Sequence, residues 1–193
     1  RDRISASHGF YSSLSHFDPL ETPPLPNIFF SQYLVHSQEN FEHFSERHPH
    51  LSGRLSIFPN AAHVGYFEIA KQSVHSKLDS IGIISNDAPE EILELIELFK
   101  NSAIKVELVG LQGTPKRVTP KVISEYSAVI TIGKSVQYCL AAGVPVYCYD
   151  RFGGPGWIVS DVFESAFEKN FSGRCTPRKI SATQIFENII AGY

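Results

Sequence analysis

The run Ser127-Ala128-Val129-Ile130-Thr131-Ile132-Gly133-Lys134-Ser135-Val136-Gln137-Tyr138 decides how the chain folds; it continues through Gly143-Val144-Pro145-Val146-Tyr147-Cys148-Tyr149-Asp150 to Arg151-Phe152-Gly153-Gly154-Pro155-Gly156-Trp157. Ala128 to Ile132 is apolar, β-branched and closed by a glycine, which spells a short buried strand and a tight turn. Ser135 to Ala142 then reads as a helix, with Ser135 as its N-cap and Gly143 ending it. Val144 to Tyr149 is a second apolar strand, and Gly153-Gly154-Pro155 a second glycine-rich loop. If the two strands are parallel neighbours, both glycine turns open at the carboxyl edge of one sheet, where open α/β folds bind ligands. The unpaired N–H groups and positive dipole end of such a helix suit an anion such as phosphate. Gly133 allows close approach to the backbone, and Lys134 adds a full positive charge.

The same alternation extends towards the N-terminus. Ser80 to Ser85 is strand-like, Asp87-Ala88-Pro89-Glu90 has the form of a capping box, and Ile92, Leu95, Ile96 and Phe99 recur at helical spacing. Ile104 to Val109 is the next strand, Gly110 to Pro115 a loop, and Thr119-Pro120 opens a short helix reaching about Tyr126. Strand, helix, strand, helix, strand, helix, strand predicts a Rossmann-like parallel sheet with helices on both faces and right-handed crossovers. Two more helices follow, one through Ile158 to Phe167 and one from the Ser181-Ala182-Thr183-Gln184 capping box. Trp157 reads as an anchor for helix packing, and Gly143 as purely conformational.

The first part of the chain is less regular. Residues 1–27 read as a loop with clustered prolines, Asn27 to His36 as a strand, Gln38 to Arg47 as a helix capped by Ser37, and Leu55 to Phe58 as a strand stopped by Pro59-Asn60. That is one β-α-β unit, so the expected division is a partial N-terminal segment over 1–60 and a binding domain over 61–193, with 61–79 a joint helical in its middle.

A 42% hydrophobic content in 193 residues supports one good core and part of a second. The formal charge of −3 gives no reason to expect nucleic acid as a partner, and no apolar run is long enough to span a bilayer. Lys116, Arg117, Lys121, Lys134 and Arg151 gather around the proposed edge, although each alone is an ordinary surface charge. Three cysteines without ligand spacing suggest a reducing, cytoplasmic setting. All eight histidines occur by position 75 and His43, His48 and His50 have no metal-site geometry, so no metal or cofactor is expected. His8 or His16 would supply a catalytic base if the leading segment folded across the cleft. No Ser-His-Asp order, Walker motif or G-x-G-x-x-G spacing is present. A chain that starts at Arg1 and lacks methionine is expected to be part of a longer protein or to have lost its natural start.

Ala128 to Ser135, Leu140-Ala141-Ala142-Gly143-Val144-Pro145-Val146 and Gly153-Gly154-Pro155, taken in order, resemble the nucleotide-sugar-binding half of GT-B glycosyltransferases over roughly residues 80–170. Asn27 to Asn60 is similar to that family's last N-terminal-domain strand and helix, followed by the Pro59-Asn60 crossing. The resemblance implies transfer of a sugar from a nucleotide-diphosphate sugar to a glycan or other hydroxyl acceptor. It places the diphosphate at Gly133, Lys134 and Ser135, the nucleoside near Arg117, Val118, Thr119, Gln137 and Tyr138, and the sugar beside Gly153 and Gly154. Two departures stand out: Tyr138, with Gln137 beside it, occupies the position where many members carry a ribose-holding glutamate, and Ile130 breaks the paired-glutamate spacing of retaining members. The alternatives are a non-catalytic scaffold or partner-binding module, in which the partner is another glycosyltransferase or a missing N-terminal domain that also supplies any membrane contact, and a nucleotide-sugar epimerase.

Overall fold

The computed structural model describes residues 32–70 and 75–193. The expected loop over 1–27, the first residues of the Asn27 to His36 strand, and His8 and His16 lie outside the described residues. The chain divides into two compact units, Arg1–Asn60 with Glu168–Asn170, and Ala61–Phe167 with Phe171–Tyr193.

The described part of the first unit is a β-α-β element. Strand β1 (Tyr33–Val35) and strand β2 (Leu55–Ile57) pair in parallel, joined through helix α1 (Gln38–Arg47). Ser37 caps α1 as its sequence suggests, its hydroxyl accepting the N–H of Asn40 at 3.3 Å. Phe44 turns the buried face of the helix inward.

The second unit is α/β, with a five-stranded, mostly parallel sheet in the order β4-β3-β5-β6-β7. Its strands are β3 (Ser80–Ile84), β4 (Lys105–Val109), β5 (Ala128–Thr131), β6 (Val146–Asp150) and β7 (Gly153–Trp157). The first four run parallel, and β7 is antiparallel to β6. The loop expected at Gly153-Gly154-Pro155 is therefore corrected to an edge strand. Arg151 and Phe152 alone make the turn, which brings the chain straight back along β6.

Helices α2 (Val64–Ala70), α4 (Pro120–Ser124), α5 (Lys134–Ala141) and α6 (Ser160–Glu168) contribute to one hydrophobic layer, and α3 (Glu90–Phe99) and α7 (Ala182–Gly192) to the other. Successive strand residues serve opposite faces. Val129 and Val146 enter the α5 layer, whereas Ile130 and Tyr147 pack with Leu95 and Ile185. Trp157 anchors α7: its indole N–H donates to the Asn188 carbonyl at 3.2 Å, and its ring meets Tyr147 edge-on at 5.5 Å.

Three helix starts test the capping signals. Ser181 and Gln184 form the full reciprocal box on α7, and Thr119 caps α4 through the Val122 N–H. The box expected at Asp87 to Glu90 is not made, because Pro89 takes the N-cap position and has no side chain that can accept. The Asp87 N–H bonds to the Ser85 hydroxyl, and the Ala88 N–H to the Gln112 amide oxygen at 2.8 Å.

Candidate functional site

In chain order β4 is laid to one side of β3, and β5 to the other. The carboxyl ends of β3 and β5 thus flank a topological switch point, the place where a ligand can enter between diverging loops. A small cavity of about 20 Å³ lies there, lined by Ser85, Asp87, Thr131, Ile132 and Asp150 among others. Thr131 ties the two strands together by donating its hydroxyl to the Ile84 carbonyl at 2.8 Å.

At the end of β5 the chain turns into α5 through Gly133, whose φ of 61° and ψ of −136° belong to a region that favours glycine. Gly133, not Ser135, is the N-cap, and no side chain caps the helix. The expected cap is displaced because this turn brings Lys134 directly into the first helical position, leaving Ser135 one residue inside. The Gly133 N–H is used by the Phe171 carbonyl at 3.0 Å, and the Val136 N–H bonds back to Gly133. The N–H groups of Lys134 and Ser135 have no acceptor among the described residues. No acidic residue lies in this first turn, whereas α3 opens on Glu90 and Glu91. An anion at this edge is therefore favoured at α5 and repelled at α3.

The structure brings several expected nucleoside-side residues together. Lys134 Nζ lies 5.5 Å from the Tyr138 ring centre, Tyr138 stacks on Tyr66 at 4.4 Å and 9°, and the Tyr66 hydroxyl donates to the Val118 carbonyl at 3.1 Å. Burial holds the Tyr66 hydroxyl above its ordinary range, Tyr138 and Cys139 add to this, and nearby Arg117 opposes it. Arg117 is exposed, Thr119 is committed to capping α4, and Gln137 is half-buried on α5. Tyr66 belongs to this group but carried no sequence signal, since it falls in a segment without clear periodicity. Lys116 does not join the group, because it pairs with Glu107 at 2.7 Å.

Gly153 and Gly154 are fixed by packing in β7. A Cβ on Gly153 would sit 2.3 Å from the Arg178 carbonyl oxygen, and one on Gly154 2.1 Å from that of Cys148. Between β6 and β7 lies an organising group that the sequence reading missed. The buried Asp150 carboxylate accepts the Phe152 N–H at 2.8 Å on one oxygen, and the Ser172 hydroxyl at 3.1 Å and Gly173 N–H at 2.9 Å on the other. Asn170 and Phe171 enter this segment with φ of 51° and 52°. The Asn-Phe-Ser-Gly run carried a turn signal, but nothing in sequence linked it to β6.

Burial pushes the Cys139 and Cys148 thiols up, so neither is a thiolate nucleophile. Among the described residues no three His, Cys, Asp or Glu side chains are placed to hold a metal ion, and no helix is long and apolar enough to cross a membrane. Two larger hollows lie away from the carboxyl edge. One of about 360 Å³ runs past Pro145, Ile158 and Tyr193, and one of about 700 Å³ lies between β7 and α7.

No protein-family model, curated protein or solved structure matches the chain.

Proposed function

We propose that the second unit binds a nucleotide-diphosphate sugar at the carboxyl edge of its sheet, as the donor-binding part of a glycosyltransferase. The observation that carries this reading is the start of α5. Two backbone N–H groups without an acceptor among the described residues and a positive helix end meet at one glycine turn beside the switch point, in a helix that opens on the cationic Lys134. The resemblance of the same residues to GT-B donor sites supports it. An acceptor hydroxyl would attack the anomeric carbon, the bond from that carbon to the diphosphate oxygen would break, and the charge left on the diphosphate would be stabilised by these donors.

A specific observation favours a second reading, a non-catalytic binding module. Tyr138, at the place of the family's ribose carboxylate, has its ring engaged by Tyr66. Calorimetric titration with UDP, GDP, CDP and ADP separates the readings. Saturable binding of one nucleotide, weakened about tenfold in Lys134→Ala as one charge-assisted contact is lost, supports the donor site. Absence of binding by all four overturns it.

A further inference from the structure

Helix α7 buries Ile185 and Ile189 and turns its other face outward. Gln184, Glu187 and Asn188 recur on that outer face at helical spacing and line the hollow of about 700 Å³ beside β7, together with Pro155, Trp157 and Arg178. Small-molecule sites enclose roughly 300–1,000 Å³, so the space is of the right order for a ligand. Trp157 also lines the neighbouring hollow of about 360 Å³, and the two form one elongated groove with Trp157 at their junction.

The groups that face this groove are held in place. The Trp157 indole is fixed by its bond to the Asn188 carbonyl and its edge contact with Tyr147, and α7 passes so close that a Cβ on Gly192 would come within 2.5 Å of the ring. Gln184 spends its Oε1 on the Ser181 N–H at 3.0 Å, which leaves its amide hydrogens free to donate. Arg178 and Glu187 are exposed, and neither side chain has an ion-pair or hydrogen-bond partner among the described residues.

Arg178 and Glu187 are the only charged residues in the lining, so their opposite charges leave the groove with no net preference for an ion. A guanidinium only donates and a carboxylate only accepts. One of each, with an amide donor beside them, suits a ligand rich in hydroxyls, since every hydroxyl does both. Trp157 and Pro155 add apolar surface for the C–H face of a pyranose ring. An extended peptide is a poorer occupant, because it would add to the outer edge of β7, where Pro155 has no N–H to give the ladder.

We infer that the groove between β7 and α7 binds a short neutral glycan, with one sugar against Trp157 and its hydroxyls on Arg178, Gln184 and Glu187. The groove uses no residue of the α5 turn, so it takes its glycan whether or not a nucleotide binds there.

Trp157 is the only tryptophan of the chain, and its fluorescence therefore reports this groove directly. The test is titration of the full chain with three neutral tetrasaccharides, cellotetraose, maltotetraose and N-acetylated chitotetraose, with tetraglycine as a zwitterionic peptide. A saturable change with at least one of the sugars and none with tetraglycine is expected. Arg178→Gln and Glu187→Gln should each raise the half-saturating concentration about tenfold, as one charge-assisted hydrogen bond is lost. Both side chains are exposed and unpaired, so these variants fold as the parent does by circular dichroism; Trp157 is left in place because it anchors α7. Silence with all three sugars overturns the glycan site, as does a response that both variants leave unchanged. A saturable response to tetraglycine as strong as that to the sugars gives the groove to a peptide and overturns the glycan assignment.

Discussion

The backbone N–H of Gly133 donates to the carbonyl oxygen of Phe171 at 3.0 Å, and both residues have positive φ, 61° and 52°. For glycine that conformation is free, while for a bulky residue it costs roughly 1–3 kcal/mol. The structure around Phe171 sustains it: the ring is fully buried, the N–H bonds to the Ala166 carbonyl at 2.6 Å, and the same Phe171 oxygen accepts the Cys148 thiol at 3.2 Å. The glycine turn that starts α5 is thus fixed from below by the segment following α6.

Replacing Gly133 with alanine places a Cβ on a backbone region open essentially to glycine. Gly133→Ala is expected to lower unfolding free energy by about 1–3 kcal/mol in urea titration. It should also weaken any ligand held by the Lys134 and Ser135 amides more than Lys134→Ala does, since both amides move. Unchanged stability would mean that the turn is not held in this conformation.

The strand and helix succession was legible because each buried element carries its own period: Ile92, Leu95 and Phe99 on α3, and the β-branched run of β5. The parallel pairing of β5 and β6 was legible because a helix stands between two apolar strands. Three features were not. Gly153 and Gly154 looked like a loop because glycine marks turns, yet they are small because the Arg178 and Cys148 carbonyls occupy the space of a side chain. Asp150 stood out in no local pattern, because its partners Ser172 and Gly173 are distant in sequence. Tyr138 was read against a ribose, but its stacking partner Tyr66 lies in a stretch that no periodicity marks.

Asp150 ties the β6–β7 turn to the Ser172–Gly173 segment through hydrogen bonds from both. Asp150→Ala leaves two backbone N–H groups and a hydroxyl without their acceptor. A loss of about 3 kcal/mol is expected in chemical denaturation, the size of a charge-assisted bond plus an orphaned buried donor. Ser172→Ala, which removes one donor and keeps the carboxylate satisfied by Phe152 and Gly173, is expected to cost about 1 kcal/mol. Equal losses in the two variants would contradict the role given to the carboxylate.

Gly82 lies under the Tyr126 ring, where an added Cβ would come within 2.5 Å of a ring carbon. Tyr126 cannot swing away cheaply, because its hydroxyl is held by Glu107 at 2.7 Å. Gly82→Ala is therefore expected to destabilise by about 1–3 kcal/mol through overpacking, even though alanine favours a strand no less than glycine does. In the Tyr126→Ala background the same substitution should become nearly neutral, and a double-mutant cycle of thermal unfolding measures the difference.

Glu107 and Tyr126 also set opposite limbs of the pH profile. Hydrogen bonds from Lys116 first, and then from Tyr126, hold the Glu107 carboxyl below its ordinary range. A carboxylate whose folded pKa is lowered contributes stability that is complete above the unfolded value of about 4.3 and is lost as pH falls through the folded value. Tyr126 is shifted upwards, by burial first and by its bond to Glu107 second. Its contribution is complete below the unfolded value of about 10 and fades as pH rises through the folded one. Urea midpoints should therefore fall below about pH 4 and above about pH 10. Lys116→Ala is expected to make the acid limb shallower without altering the alkaline one by more than a fraction as much. Tyr126→Phe should flatten the alkaline limb, weaken the acid limb, and cost about 1 kcal/mol at neutral pH. Asp79, lowered by its bonds from Ser127 and Ser80, adds its own acid limb, so each variant is compared with the parent rather than with a flat line. An alkaline limb that survives unchanged in Tyr126→Phe would assign it to another tyrosine, with Tyr66, Tyr147 and Tyr149, all raised by burial, as the groups to substitute next.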